Sequence, residues 1–178
     1  AEGLRLLTDA RAAGIVPELL VMAQGRDPHP LLAEIEAGVL AAGGEVVETS
    51  PDILAKITGK DNPQGVCGMF AEWDTGLARL DRTAAPIWLV AQALRDPGNL
   101  GTMLRTGDAV GAGGLILIDD CADPFSVEAV RASMGAVFTQ RIARAPWADF
   151  LAWLRAGDGQ LVAASLREAV PYRGAPYS

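Results

Sequence analysis

Two short, wholly apolar runs constrain this chain more than anything else in it: Ile87-Trp88-Leu89-Val90-Ala91 and Leu115-Ile116-Leu117-Ile118. Runs of this kind, rich in β-branched and aromatic residues, are strands buried on both faces, as in a parallel sheet covered by helices. Between them Asp96-Pro97-Gly98-Asn99 breaks the chain, and Asn99 is placed to cap a helix starting at Leu100. Leu100, Met103, Leu104 and Val110 fall roughly on one helical stripe, and Gly111 and Gly113 supply stop signals. Strand, turn, helix, strand is a βαβ crossover of parallel sense.

The alternation continues beyond Asp119. Pro124 to Met134 reads as a helix with Phe125, Val127 and Val130 apolar and Ser126 near its start. Val137 to Ala143 reads as a strand with Arg141 and Arg144 at its end. Trp147 to Leu154 is a helix ended by Gly157, and Leu161-Val162-Ala163-Ala164 is a fourth strand. The expectation is a parallel sheet covered on both faces.

The first half alternates too. Leu4, Leu7 and Ala10 give Glu2 to Ala13 a helical stripe closed by Gly14, and Leu19-Leu20-Val21-Met22 is a strand. Leu31 to Leu40 is an amphipathic helix closed by Gly43-Gly44, followed by a short strand at Glu45-Val46-Val47-Glu48. Ser50 and Pro51 open a helix that carries Ile53, Leu54 and Ile57 and stops near Gly59. Gly65 to Ala71 is a further strand, completing a small α/β unit over residues 1–72. Residues 73–85 hold Asp74, Arg79, Asp81 and Arg82 without a strand pattern and read as a linker, which leaves 86–178 for the second unit.

Composition narrows the class. Of the 178 residues 50% are apolar and 21% charged, which suits a globular chain, and no apolar run approaches the ~20 residues needed to cross a bilayer. The opening AEGLRLLTDARAAG has charges spaced through it and lacks the apolar core of a secretion signal, so the cytoplasm is the expected location. Cys67 and Cys121 lack metal-ligand spacing and read as unpaired thiols. The single histidine, His29, sits between two prolines and reads as a solvated loop residue, which argues against a histidine base or metal site. A net charge of −7 argues against nonspecific binding of polyanions by bulk charge. Of the 15 basic residues only Lys56 and Lys60 are lysine. The arginine bias fits bidentate phosphate contacts and equally fits a bias in gene composition.

Asp96-Pro97-x-Asn99-x-Gly101, followed by Leu104-Arg105-Thr106 and Asp108-Ala109-x-Gly111, resembles the first motif of the SpoU–TrmH family of RNA ribose 2′-O-methyltransferases, of the knotted SPOUT class. Asp61-Asn62-Pro63-Gln64-Gly65-Val66 resembles the close of that family's amino-terminal domain, which has a ribosomal-protein-like α/β fold and holds RNA. The stretch also reads simply as a turn leading into a strand. The resemblance implies S-adenosylmethionine as cofactor, ribosomal or transfer RNA as substrate, no metal and a homodimer. It also implies a trefoil-knot methyltransferase domain, incomplete over 86–178. The family's two later motifs, which form the knot and most of the cofactor pocket, do not occur by Ser178. The cofactor residues are therefore expected beyond it, in a longer enzyme.

Methyl transfer to a ribose requires the 2′-hydroxyl to be aligned and its proton to leave. Asn99 and Arg105 are the candidates, with Asn99 capping the helix and presenting its amide to substrate. The resemblance matches Arg105 to the family's catalytic arginine. A guanidinium with pKa above ~12 hardly ever gives up its proton, so Arg105 reads best as a clamp on the phosphate beside the target ribose. The bland reading is a solvated helix arginine or an ion pair with Asp108. Arg131-Ala132-Ser133-Met134-Gly135-Ala136 resembles a family turn, so Ser133 and Gly135 are candidates for the substrate side, with Gln64, and equally suit an ordinary helix end. Gly111-Ala112-Gly113-Gly114 precedes a strand instead of following one, which removes a dinucleotide-binding reading. The runner-up is a noncatalytic RNA-binding protein on the same scaffold.

Overall fold

The strand β1 (Leu19–Ala23) buries both of its faces, and the first sheet is organised around it. The computed structural model describes residues 1–164 and 169–174. β1 pairs in parallel with β2 (Glu45–Thr49) and antiparallel with β3 (Val66–Met69), in the order β2-β1-β3. Leu20 and Met22 pack with Leu7 of α1 (Leu4–Ala12) and with Leu32, Ile35 and Val39 of α2 (Pro30–Ala41). The alternate residues Val21 and Ala23 meet Leu54 of α3 (Pro51–Thr58) and Cys67. Each of the Leu, Ile, Val and Met side chains among them contributes about 1.5–3 kcal/mol when taken from water. Ser50 caps α3 through its Oγ, Pro51 opens that helix, and Gly59 closes it at φ +63°.

The second sheet is all parallel, β4 (Leu89–Gln92), β5 (Gly114–Ile118) and β6 (Arg141–Ala145), in that order. β5 is central, and all five of its residues are buried. Leu115 and Leu117 pack with Leu100 and Leu104 of α4 (Pro97–Ala109) and with Ala129 of α5 (Val127–Ser133). On the opposite face Ile116 and Ile118 meet Phe150 of α6 (Trp147–Arg155). The sheet is thus covered on both sides, as its apolar runs require.

Several expected boundaries move. The run at 87–91 becomes a strand only from Leu89, with Ile87 exposed, because pairing with β5 begins at Leu89. Val137 lies in a short 3-10 turn (Ala136–Phe138), and strand β6 runs Arg141–Ala145, so Arg141 opens it and Arg144 lies near its close. The helix expected over Pro124 to Met134 is shorter, Val127–Ser133 with Ser126 as its cap. Val110 caps the end of α4 and is exposed, off the stripe made by Leu100 and Leu104. Leu161 to Ala164 is not a strand. Those residues are exposed and pair with none of the described strands, and without a neighbouring ladder an apolar run has nothing to hold it extended. His29 is exposed but does local work: its Nδ1 accepts a hydrogen bond from the Leu31 N–H as the cap of α2.

Residues 73–85 carry no strand but are anchored to the second unit at several points. The Thr75 carbonyl accepts from the Arg144 N–H at 2.8 Å, and Leu77 and Leu80 pack against the α6 face of the second sheet. Arg82 donates to the carbonyls of Trp153, Leu154 and Asp158 and stacks over the Trp153 ring, capping the end of α6.

Candidate functional site

The start of α4 is built by Asp96 and Pro97. Asp96 Oδ1 accepts the Asn99 N–H at 2.6 Å and Pro97 occupies the first turn, where its missing N–H costs nothing. Asp96 is therefore the cap expected of Asn99. The Asp-Pro pair was the legible signal for it, since Pro97 at the first helical position puts the cap one residue earlier.

Released from capping, the Asn99 side chain is exposed and makes no hydrogen bond among the described residues. Arg105 is also exposed, with no ion pair or side-chain hydrogen bond among the described residues. At ~100° and 1.5 Å per residue, Asn99, Thr102 and Arg105 step across the exposed face of α4, with Asn99 and Arg105 separated by about 9 Å along the axis. Asp108, the carboxylate expected beside Arg105, accepts from Thr139 Oγ1 at 2.7 Å and Gln140 Nε2 at 3.3 Å instead. An amide and a guanidinium thus flank the solvated surface of α4, about 120° apart around its axis, and both are open to a partner.

Behind that face α4 lies tight on α5. A Cβ on Gly101 would collide with the Ala129 carbonyl and sit 2.6 Å from the Ala132 Cβ. Ser133 is 0% exposed, and its hydroxyl donates to the Val130 carbonyl at 2.7 Å and accepts from the Val137 N–H at 3.3 Å. It shapes the turn and in this conformation offers nothing to a substrate. Met134 and Gly135 follow in the left-handed region, and a Cβ on Gly135 would meet the Asp9 carboxylate of α1 at 2.5 Å. Gly135 is where the second unit abuts the first.

Gln64 lies elsewhere. Its N–H donates to Glu2 Oε1 at 3.1 Å and its side chain covers Gly3. Glu2 joins the two halves: its Oε2 lies 2.7 Å from Lys60 Nζ and 3.6 Å from an Arg131 guanidinium nitrogen on α5. Burial opposes ionisation of Glu2, but Lys60, the Gln64 amide and Arg131 outweigh it and hold the carboxyl below its usual range. These residues border a cleft of about 460 Å³ between α5 and the first sheet, to which neither Asn99 nor Arg105 contributes. The cleft is non-local, and no spacing in the sequence announces it.

At the carboxyl ends of β4 and β5, where parallel sheets commonly hold their ligands, the polar groups are turned to one another. Asp119, at φ +58°, accepts from Gln92 Nε2 at 2.9 Å and from the Trp147 N–H at 3.0 Å. The first of these bonds, then the second, lowers its carboxyl pKa. Cys121 takes the Leu94 N–H, and Arg95 pairs with Asp120 at 2.5 Å. Among the described residues no orphaned polar side chain stands at these strand ends to hold S-adenosylmethionine. Both cysteines are unpaired, and among the described residues no cluster is arranged to hold a metal ion and no helix is long and apolar enough to cross a membrane.

Comparison with known proteins decides what this arrangement belongs to. Residues 86–178 match the SpoU rRNA Methylase family and residues 1–68 match the MRM3-like substrate binding domain. The chain belongs to the SpoU rRNA methylase family. It is 31% identical over 178 residues to a 23S rRNA (guanosine(2553)-2′-O)-methyltransferase of Bacillus subtilis, covering 99% of this chain and 66% of that protein. It is 32% identical over 145 residues to the human mitochondrial rRNA methyltransferase 3, covering 79% of this chain and 33% of that protein. An AdoMet-bound rRNA methyltransferase from Sinorhizobium meliloti superposes with a TM-score of 0.90 at 41% identity, covering 99% of this chain and 65% of the other. The chain therefore spans from a third to just under two-thirds of these relatives. The SpoU parallel α/β sheet and the family's amino-terminal substrate-binding domain are both present in it.

Proposed function

We propose that this chain forms the RNA-facing part of an S-adenosylmethionine-dependent ribose 2′-O-methyltransferase acting on ribosomal RNA in the cytoplasm, as a homodimer of the trefoil-knot class. Residues 1–72 hold RNA, 73–85 connect, and 86–178 form the methyltransferase unit, of which 165–168 and 175–178 lie outside the described residues. The reading rests on family membership together with one observation: Asn99 and Arg105 both stand exposed on α4 with no partner of their own among the described residues. The relatives' names supply ribosomal RNA as the substrate class and S-adenosylmethionine as the methyl donor.

When bound, that cofactor supplies a methyl carried on a sulfonium sulfur. The residues of this chain act on the RNA side. Arg105 grips the phosphate next to the target ribose with two parallel hydrogen bonds, which orients the 2′-hydroxyl. Its fixed charge stabilises the oxygen as the proton departs to phosphate or water. Asn99 donates its amide to the same segment. Ser133 and Gly135 set the turn behind α4 that holds this face in place.

The test uses the enzyme whose sequence contains these residues, incubated with tritiated S-adenosylmethionine and unmodified ribosomal RNA. The expected product is a ribose-methylated, alkali-resistant dinucleotide. Tight RNA binding with no transferred label would favour the noncatalytic RNA-binding alternative.

A further inference from the structure

We infer that the cleft between α5 and the first sheet is a second RNA contact, a nucleotide subsite that takes a base between its apolar walls and a phosphate at its rim. The inference rests on the proposed function for its choice of RNA over other nucleotide ligands. Ile57 and Met69 stand on one side of the cleft and Phe125, Val130 and Met134 on the other. Ile57, Met69 and Met134 are each about half exposed, leaving an apolar surface open to water that a flat, polarisable base would cover. The volume of about 460 Å³ is within the ~300–1,000 Å³ of small-molecule sites, and junctions between units are where such sites form.

The rim supplies the charge. Arg5, Lys60 and Arg131 border the cleft against a single carboxylate, Glu2, on a chain whose net charge is −7. Glu2 is committed to Lys60 at 2.7 Å and touches Arg131 only at 3.6 Å, while Arg5 is exposed and has no ion pair among the described residues. Two guanidiniums are thus left with donor capacity beside an apolar slot. A planar guanidinium can hold two phosphate oxygens at once, which an ammonium does not. An apolar slot with a cationic rim selects a ligand that is aromatic at one end and anionic at the other. Because neither Asn99 nor Arg105 lines the cleft, a nucleotide held here lies outside the α4 face and serves to position the RNA.

Methyl-labelled methionine and isoleucine make the test site-specific. In the 178-residue chain Met69, Met134 and Ile57 report on the cleft, while Met22 and Met103 lie outside it and serve as controls. The chain is titrated by NMR with the four ribonucleoside 5′-monophosphates, and separately with guanosine and with inorganic phosphate. Saturable shifts at Met69, Met134 and Ile57, with Met22 and Met103 still, are expected for the nucleotides and only weak shifts for guanosine or phosphate alone. Arg5→Ala with Arg131→Ala changes two solvated side chains and should weaken binding about tenfold or more, equivalent to roughly 1.4 kcal/mol. An absence of saturable cleft shifts, equal shifts with inorganic phosphate, or indifference to the double variant would each overturn the subsite. If the enzyme methylates ribosomal RNA while this cleft stays empty, the proposed function survives and the subsite does not. A nucleotide-filled cleft in an enzyme that transfers no methyl gives the reverse.

Discussion

Gly101 of α4 packs directly against Ala129 of α5, so closely that there is no room for a β-carbon between the two helices. In an exposed helix Gly→Ala is worth about 1 kcal/mol of added stability. Here the colliding atom is a backbone carbonyl in a helix already packed on the sheet, and it cannot rotate away. Overpacking of that kind costs roughly 1–3 kcal/mol, so the sign should reverse. Gly101→Ala is expected to lower the urea midpoint without changing its slope, and an unchanged or raised midpoint would show that α5 yields freely.

Glu2 gives the joint between the halves a defined pH dependence. Its folded pKa lies below the ordinary 4.5, so its contribution is fully present above pH 4.5 and is lost as pH falls through the lower folded value. Glu2→Gln should therefore reduce stability at neutral pH and flatten the acid limb of the stability profile. Parallel acid limbs in variant and wild type would remove Glu2 from the titration. Glu2→Ala, which orphans the Lys60 ammonium and the Gln64 N–H, should cost about 1–3 kcal/mol at pH 7 by chemical denaturation.

Asp119 ties the ends of two strands to the start of α6 from a left-handed backbone conformation. Asn tolerates that conformation and keeps an acceptor oxygen, whereas Ala does neither. Thermal melts should rank wild type above Asp119→Asn and Asp119→Asn above Asp119→Ala. Equal melting temperatures for the Asn and Ala variants would contradict this account of the turn.

The second sheet was legible because β5 is apolar at every position and buried on both faces, leaving periodicity little room to mislead. Val137 went astray because an apolar residue in a 3-10 turn against the core looks, in sequence, the same as one in a strand. Leu161 to Ala164 failed for the complementary reason: strand formation needs a partner ladder, which no local pattern reports. At the site, Asn99 and Arg105 stood out by motif, and helical phase sets them on either flank of the exposed side of α4. Ser133, from a separate segment that equally suited an ordinary helix end, spends its hydroxyl on the backbone. The Glu2–Lys60–Arg131 cluster spans both halves of the chain, and only the folded structure brings it together.

The central claim is that Arg105 acts on the RNA phosphate and on developing charge at the ribose oxygen, and single-turnover methyl transfer measures this most directly. In the enzyme containing this chain, Arg105→Ala should lower the chemical rate by ~10²–10³-fold, with S-adenosylmethionine affinity and thermal stability close to wild type. Arg105→Lys should restore little, because a point charge cannot hold two phosphate oxygens in one plane. Single-turnover rates near wild type for Arg105→Ala would contradict the account.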